Sequence, residues 1–230
     1  MKRFYKEATV SAHDSGFGVA LDGKPVRTPG GAVLSVRTES LAAAVAAEWA
    51  EQTGEVRPLG MPMTRLVLTQ IDRVAPRRAE VAAELLGYAG SDLLCYRAEE
   101  TALADRQNTL WNPLLDWLTA RYGVTLAVTA GLMPVAQAPE ALAPLAEKLA
   151  TLSDAGLTAL ALAAPAAGSL VIGLAFLEGR LSADEAFAVS QLDETYQIEQ
   201  WGEDYEAADR RADLLREFQD IARFLSLTRG

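Results

Sequence analysis

The sequence predicts an α+β protein, with a small N-terminal α+β domain of antiparallel strands and an all-helical C-terminal domain. Apolar and polar residues alternate through positions 4–36, which is the period of a half-buried strand. From Thr101 onward the apolar residues recur at helical spacing instead. The chain has 230 residues, of which 50% are hydrophobic, so it can bury a sizeable core. We therefore expect two domains, residues 1–93 and 94–230.

The N-terminal domain is expected to hold a hairpin and then helices. Asp22-Gly23 lies between two alternating runs and predicts a type I′ turn, because both central residues of that turn need positive φ. Thr38 is predicted to cap a helix that ends at Gly54. Met63–Arg73 fits either a strand or a helix, and another helix is expected over residues 76–89.

The C-terminal domain is expected to be a set of packed helices. Asn112-Pro113 is an N-cap and first-turn pair, which predicts that a fresh helix starts there. The uncharged stretch Leu157–Leu177 is long enough to span a bilayer. Because Pro165 and Gly168 interrupt it, we predict two short buried helices rather than a membrane span. The last helix is expected over Ala207–Leu227.

Residues 182–209 form what we call the acidic segment. It opens with Ser182 and Glu185 in a capping-box pattern, which predicts that a helix starts there. The segment contains nine acidic residues and no basic one. A helix usually mixes the two signs, because each Glu–Lys pair four residues apart stabilises it by about 0.2–0.5 kcal/mol. The accumulation of like charge makes this segment the candidate site.

Three residues of different chemistry share one predicted helical face in the acidic segment. Glu194, Gln197 and Trp201 are spaced by three and four residues, so an acid, an amide and a large aromatic lie together. Such a face suits a basic or amide-rich partner protein. The other interpretation is a solvated acidic face with Trp201 and Tyr205 packed inward.

The charge distribution excludes several classes of partner. Residues 1–96 carry eleven basic and eleven acidic side chains, so the whole net charge of -10 lies in residues 97–230. An acidic chain lacks the basic footprint that nucleic acids and anionic membranes require. We therefore expect no nucleic-acid partner and no membrane partner.

Residues for metal binding or nucleophilic catalysis are scarce. His13 is the only histidine and is expected in an exposed turn, and the only cysteine, Cys95, is expected to be a buried apolar residue. The sequence has no zinc-ligand spacing and no phosphate-binding loop. We therefore expect no metal, no cofactor and no small-molecule substrate, and a binding protein rather than an enzyme. A single cysteine also fits a reducing compartment.

Stretches along nearly the whole chain resemble one known family. They are RFYKEATV at Arg3–Val10, LDGKPVRTPGG at Leu21–Gly31, AAEWAEQ at Ala46–Gln52, PLGMPMTRL at Pro58–Leu66, DLLCYRAE at Asp92–Glu99, QNTLWNPLLDW at Gln107–Trp117 and DETYQIEQWG at Asp193–Gly202. In this order they are similar to the assembly chaperone of F-type ATP synthase that binds the free alpha subunit. The resemblance implies an α+β domain followed by a helical domain, no nucleotide hydrolysis, and the ATP synthase alpha subunit as partner.

The resemblance also implies a site. An acidic residue before the Trp-Gly pair is linked to function in the family, and Asp193 and Glu194 are both candidates here. The sequence has Asp rather than Glu at position 193, which leaves the choice between the two open. We favour Glu194, because it shares a face with Gln197 and Trp201. The predicted partner-binding residues are therefore Asp193, Glu194, Gln197 and Trp201.

Two other functions remain open from the residues alone. A carboxylate-dependent hydrolase would use Asp193, Glu194 or Glu199 as acid and base across a cleft. A generic helical interaction module would bind some other protein. The N-terminus lacks the long apolar stretch of a secretory signal, so we expect the cytoplasm of a bacterium, or the mitochondrial matrix for a processed eukaryotic form.

Overall fold

A small antiparallel sheet and its flanking helices form the first of two units in the computed structural model of this chain. The structure describes residues 2–14, 16–131 and 135–229. Unit 1 comprises Met1–Arg78 and Asp220–Gly230, and unit 2 comprises Ala79–Gln219. Contacts group Leu93 with unit 2. The division into domains 1–93 and 94–230 stays a prediction. The predicted α+β class is confirmed, since the sheet lies at the N-terminus and helices follow.

Strand β2 is the centre of the sheet in unit 1. The strands are β1 Ala8–His13, β2 Gly16–Leu21, β3 Lys24–Pro25 and β4 Ser35–Val36. Each of the other three pairs antiparallel with β2. Asp22 and Gly23 connect β2 to β3 with φ of 48° and 77°, as the predicted type I′ turn requires. The buried part of β2, Val19–Leu21, contributes to the core of unit 1.

Two α-helices pack in unit 1, α1 Glu39–Ala50 and α2 Pro62–Thr69. The ambiguous stretch Met63–Arg73 is thus helical, and it continues into a π-helical turn at Gln70–Val74. Buried Glu48 on α1 accepts hydrogen bonds from the backbone N–H groups of Met63 and Thr64, at 2.7 and 2.8 Å. A carboxylate at a helix N-terminus is favourable, and this one joins α1 to α2.

Thr38 occupies the N-cap position of α1 but does not cap it as predicted. Its hydroxyl makes no side-chain cap and donates instead to the carbonyl of Leu227, at 2.6 Å. Ser40 donates to the same carbonyl at 3.0 Å. The Thr38 hydroxyl therefore bonds the distant Leu227 carbonyl and not the backbone N–H groups at the start of α1, where the sequence pattern had placed it.

Unit 2 is built mainly from helices. They are α3 Arg78–Gly90, α4 Thr101–Tyr122, α5 Pro139–Thr151, α6 Asp154–Ala167, α7 Leu170–Leu177, α8 Ala183–Ser190, α9 Leu192–Trp201 and α10 Tyr205–Thr228. Residues of α10 beyond Gln219 are grouped with unit 1. Two short parallel strands, β5 Tyr96–Arg97 and β6 Thr129–Ala130, lie among the helices.

The prediction of a fresh helix at Asn112-Pro113 is wrong, because α4 runs through both residues. The Asn112 side chain accepts a hydrogen bond from Arg97 at 2.8 Å and does not act as a cap. Trp111, Leu114 and Leu118 are buried along one side of α4. Their packing outweighs the roughly 3 kcal/mol that an interior proline costs a helix.

The uncharged stretch forms two buried helices, as predicted. The break between α6 and α7 falls at Gly168, whose φ of 65° ends α6, and at Ser169, whose hydroxyl accepts from the Ile172 N–H at 3.0 Å. Pro165 lies inside α6 rather than in the connection. Every residue of α7 is buried. Within the described residues, no helix is long and apolar enough to cross a membrane.

The acidic segment is three helices rather than one. The predicted capping box is present at the start of α8, where Ser182 Oγ accepts from the Glu185 N–H at 3.2 Å and Glu185 accepts from the Ser182 N–H at 2.8 Å. Helix α8 ends at Ser190, α9 follows, and Gly202 with φ of 86° separates α9 from α10. The acidic residues are therefore spread over these helices, and Asp193, Glu194 and Glu199 lie on the short helix α9.

Candidate partner-binding site

Helix α9 is held by its inner side. Leu192 and Tyr196 are buried, one turn apart. The Tyr196 hydroxyl donates to the carboxylate of Glu100, and the guanidinium of Arg106 lies 5.1 Å from the centre of the Tyr196 ring. Helix α8, which leads into α9, is tied to α4 by the buried indole of Trp111, which donates to a backbone carbonyl of α8 at 3.1 Å. These contacts turn the opposite side of α9 outward.

The outer side of α9 presents the three residues that the spacing grouped. Glu194 and Gln197 are exposed, and Trp201 is 77% exposed. Tyr205, just beyond the Gly202 break, is 89% exposed. The interpretation that packed Trp201 and Tyr205 inward is therefore wrong. We call Glu194, Gln197 and Trp201 the α9 face.

The basic side chains that contact α9 do not pair with the α9 face. Arg106, beside Tyr196, pairs with Glu199 at 2.6 Å, and Arg211, which donates to Thr195, pairs with Glu203 at 3.4 Å. Within the part of the chain that the structure describes, the carboxylate of Glu194 has no hydrogen-bond or ion-pair partner. An exposed acid without a partner is available to a basic group of another protein.

Asp193 points away from the α9 face. Its Oδ1 accepts a hydrogen bond from Gln107 Nε2 of α4 at 2.8 Å. Gln107 is only 1% exposed, and its Oε1 accepts from the Ala98 N–H at 2.8 Å. Arg97 lies nearby, and burial lowers the pKa of its guanidinium while Asp193 acts in the opposite direction. The structure thus brings Glu194, Gln197 and Trp201 together and separates Asp193 from them.

Two open grooves lie on either side of α9 in unit 2. The larger, of about 600 Å³, is mainly apolar and is lined by Asp105, Arg106, Thr109, Leu110, Phe187, Ala188, Leu192, Thr195, Glu199 and Arg211. The smaller, of about 410 Å³, is lined by Tyr96, Arg97, Ala98, Glu99, Gln107, Gly131 and Asp193. Sequence reasoning missed Gln107. The signal was an amide at helical spacing from Trp111, on the apolar side of α4.

The arrangement of the acids does not suit a hydrolase. Successive residues of a helix are rotated by about 100°, so Asp193, Glu194 and Glu199 leave α9 in three different directions. Asp193 is bound to Gln107 and Glu199 to Arg106. Acid–base hydrolysis needs two carboxylates that face each other across a cleft. In the ranges 2–14, 16–131 and 135–229, no three His, Cys, Asp or Glu side chains are placed to hold a metal ion.

Comparison with known proteins decides the family. Residues 2–119 match the family described as ATP12 chaperone protein. This chain belongs to the ATP12 chaperone family. The solved structure of Atp12 from Paracoccus denitrificans is 41% identical in sequence, with a TM-score of 0.93 over 99% of this chain and 98% of that one. The membership confirms the predicted family, that of an ATP synthase assembly chaperone.

Two further ATP12 relatives agree with this assignment. The structure of an Asp-to-Lys variant of Atp12p from P. denitrificans is 40% identical, with a TM-score of 0.93 over 99% of this chain and 97% of that one. The mitochondrial protein atp12 of Schizosaccharomyces pombe is 26% identical over 214 residues, which are 87% of this chain and 74% of that protein. The family is named for chaperones and not for enzymes, in agreement with the predicted class of protein.

Proposed function

We propose that this ATP12-family protein binds the free alpha subunit of the F-type ATP synthase and keeps it from aggregating until the beta subunit pairs with it. An unassembled subunit exposes the large surface that its neighbour will cover, and such surfaces favour self-association. A chaperone that covers this surface would keep the subunit in solution, and beta would displace it.

The α9 face is the proposed contact, and the exposure of Trp201 is the observation that carries the proposal. A tryptophan is among the most heavily buried residue types on average, yet this one is 77% exposed. It lies on the same face as Glu194, which has no partner within the described residues. Large aromatics provide much of the binding energy at protein interfaces. Removal of one partner from a desolvated charge pair costs about 2–5 kcal/mol of binding free energy.

The proposed partner surface follows from this chemistry. Glu194 would meet a Lys or Arg side chain of the alpha subunit, Gln197 would exchange hydrogen bonds with polar backbone or amide groups, and Trp201 would fill an apolar depression. The two nearby arginines of unit 2, Arg106 and Arg211, are paired with acids and so would not repel a basic partner. The proposed compartment is the bacterial cytoplasm, or the mitochondrial matrix for a eukaryotic form.

Capture with separately expressed subunits tests this function. The chaperone is immobilised, and alpha and beta subunits are applied one at a time at equal concentration. Retention of alpha with no retention of beta is expected, followed by release of alpha when beta is added. Equal retention of both subunits, or of neither, would contradict the proposal.

A further inference from the structure

Asp193 and Glu194 are adjacent in sequence but occupy different environments on α9. Glu194 is exposed and has no side-chain partner among the residues that the structure describes, whereas Asp193 is half-buried and accepts a hydrogen bond from Gln107. The two carboxylates are rotated by about 100° from each other around the helix. A single client surface that covers the α9 face would therefore not contact both acids in the same way.

The amide of Gln107 has only one useful orientation. Its Oε1 must face the Ala98 N–H, because that backbone group is a donor and the contact at 2.8 Å requires an acceptor. Its Nε2 must then face Asp193, at 2.8 Å. A flipped amide would place donor against donor at Ala98 and acceptor against acceptor at Asp193. Since Gln107 is only 1% exposed, water does not offer a ready substitute.

This chain of contacts is the directional link between α4 and the first turn of α9. Leu192 packs in that turn through apolar contact, which is non-directional and does not fix its rotation closely. Other directional bonds of α9 lie further along the helix, from Tyr196 to Glu100 and from Arg106 to Glu199, or reach α10, from Arg211 to Thr195. The directional bond from Gln107 to Asp193 lies in the first turn of α9, beside Glu194. Without this bond the first turn could shift, which would misplace the residues that point outward.

We propose that Asp193 is a positioning residue: through Gln107 it fixes the rotation of α9, and with it the presentation of Glu194, Gln197 and Trp201, without touching the client itself. The inference rests on the proposed function of the α9 face. Positioning differs from a direct charge contact in one respect that can be measured. It needs a hydrogen-bond acceptor at residue 193, whereas a direct contact with a basic client needs the negative charge.

Four variants of the full chain separate the two roles. Asp193→Asn keeps an acceptor oxygen for Gln107 and removes the charge, and Asp193→Ala removes both. Gln107→Glu places one carboxylate against another. The double variant Gln107→Glu with Asp193→Asn exchanges donor and acceptor, because the amide introduced at position 193 can donate to the new carboxylate, which can still accept from the Ala98 N–H. The double variant also has the same net charge as the unmodified protein.

Binding of the purified alpha subunit and amide hydrogen exchange of α9 in the free chaperone are measured for each variant. Asp193→Asn and the double variant are expected to bind within about threefold of the unmodified protein. Asp193→Ala and Gln107→Glu are expected to bind at least about tenfold more weakly. Exchange of the α9 amides is expected to be faster in the two weak binders and unchanged in the other two.

The proposal is overturned if Asp193→Asn binds as weakly as Asp193→Ala while the α9 amides of both exchange as in the unmodified protein. It is also overturned if the double variant folds but binds no better than Gln107→Glu. The exchange data are taken without the client, so they test positioning even if the alpha subunit is not the partner. Failure of the unmodified chaperone to bind alpha would contradict the proposed function alone.

Discussion

Glu194 and Trp201 lie on the same exposed face of α9, seven residues apart. At a rise of about 1.5 Å per residue their backbones are separated by about 10 Å, or two helical turns. The spacing places a charge and a large aromatic within the reach of one partner surface. It also separates two roles that can be tested by mutation, since neither side chain is part of the core.

Trp201→Ala is expected to weaken binding of the alpha subunit at least tenfold without a fall in stability. Truncation of an interface tryptophan often costs about 2 kcal/mol or more of binding free energy. Because Trp201 is 77% exposed, the free energy of unfolding should change by no more than about 0.5 kcal/mol. Calorimetric titration with alpha and urea unfolding of the same preparation measure the two quantities.

Trp111 provides the contrasting variant for this prediction. It is fully buried and its indole N–H donates to the Val189 carbonyl, so Trp111→Ala should lower the free energy of unfolding by about 3–5 kcal/mol. If Trp201→Ala instead destabilises the protein to a similar degree, Trp201 is structural and does not belong to a partner-binding face.

Gly173→Ala is expected to destabilise unit 2 by about 1–3 kcal/mol. A Cβ at this buried position of α7 would lie 2.8 Å from Leu160 Cδ1 and 3.3 Å from Ala164 of α6. Gly87→Ala is the matched control, because Gly87 is an exposed helical glycine with no atom within 4 Å of the added carbon. It should stabilise the protein by about 0.5–1 kcal/mol. Thermal unfolding measures the stability of both variants. A change of the same sign in both would contradict the close packing of α7 against α6 at Gly173.

Asp92 should make the protein less stable as the pH rises from about 4 to 6. It is fully buried, where it accepts from Ser169 Oγ at 2.7 Å and from the Val171 N–H at 3.1 Å. Burial raises its pKa to about 6, and these hydrogen bonds only partly oppose that rise. The folded state therefore binds the proton more tightly than the unfolded state, so the contribution is largest below pH 4 and disappears as the pH passes the folded pKa.

The size of the Asp92 effect can be measured against a variant that does not titrate. A shift of about two pKa units corresponds to roughly 3 kcal/mol between pH 4 and 6. Urea unfolding across this range should show that the unmodified protein becomes less stable relative to Asp92→Asn as the pH rises. Parallel pH profiles of the two proteins would show that the carboxyl group does not carry this linkage.

Glu178 should make the protein less stable as the pH falls from about 4.5 toward 2, whereas Asp92 makes it less stable as the pH rises. Burial would raise its pKa, but donors from Arg121 at 2.9 Å, Lys148 at 2.8 Å and Tyr122 at 2.7 Å outweigh that effect and hold the pKa at about 2. The stabilisation is present above pH 4.5 and disappears as the pH falls toward 2. Glu178→Gln should lower the free energy of unfolding by about 1–3 kcal/mol at pH 7. The difference should shrink near pH 2, and a constant difference would be inconsistent with this linkage.

Local chemistry that is complete within a few residues could be predicted from the sequence. Asp22-Gly23 carries its turn geometry in its own φ preferences, and Ser182 with Glu185 forms a reciprocal pair over three residues. The helical period alone also placed Glu194, Gln197 and Trp201 on one face, although it did not decide whether Trp201 is exposed. These features need no knowledge of the tertiary structure.

Features that depend on a distant partner could not be predicted. Thr38 matches a capping pattern, but Leu227 supplies its acceptor, 189 residues away. Asn112-Pro113 matches a helix start, but the buried side of α4 continues through it. Asp193 and Glu194 are adjacent acids that the sequence could not rank. The hydrogen bond of Asp193 to Gln107, 86 residues away, is what distinguishes it from Glu194. In each case a tertiary contact decided between two local options.

The most direct test of the proposed function is the affinity of the Glu194→Lys variant for the alpha subunit. Glu140→Lys is the matched control, because Glu140 is also an exposed acid in the first turn of a helix, α5. Both reversals should lower the free energy of unfolding by no more than about 1 kcal/mol, since each removes a similar helix-dipole interaction. Calorimetric titration should show Glu194→Lys binding alpha at least about thirtyfold more weakly and Glu140→Lys binding normally. Normal melting of Glu194→Lys together with full affinity for alpha would contradict the central claim.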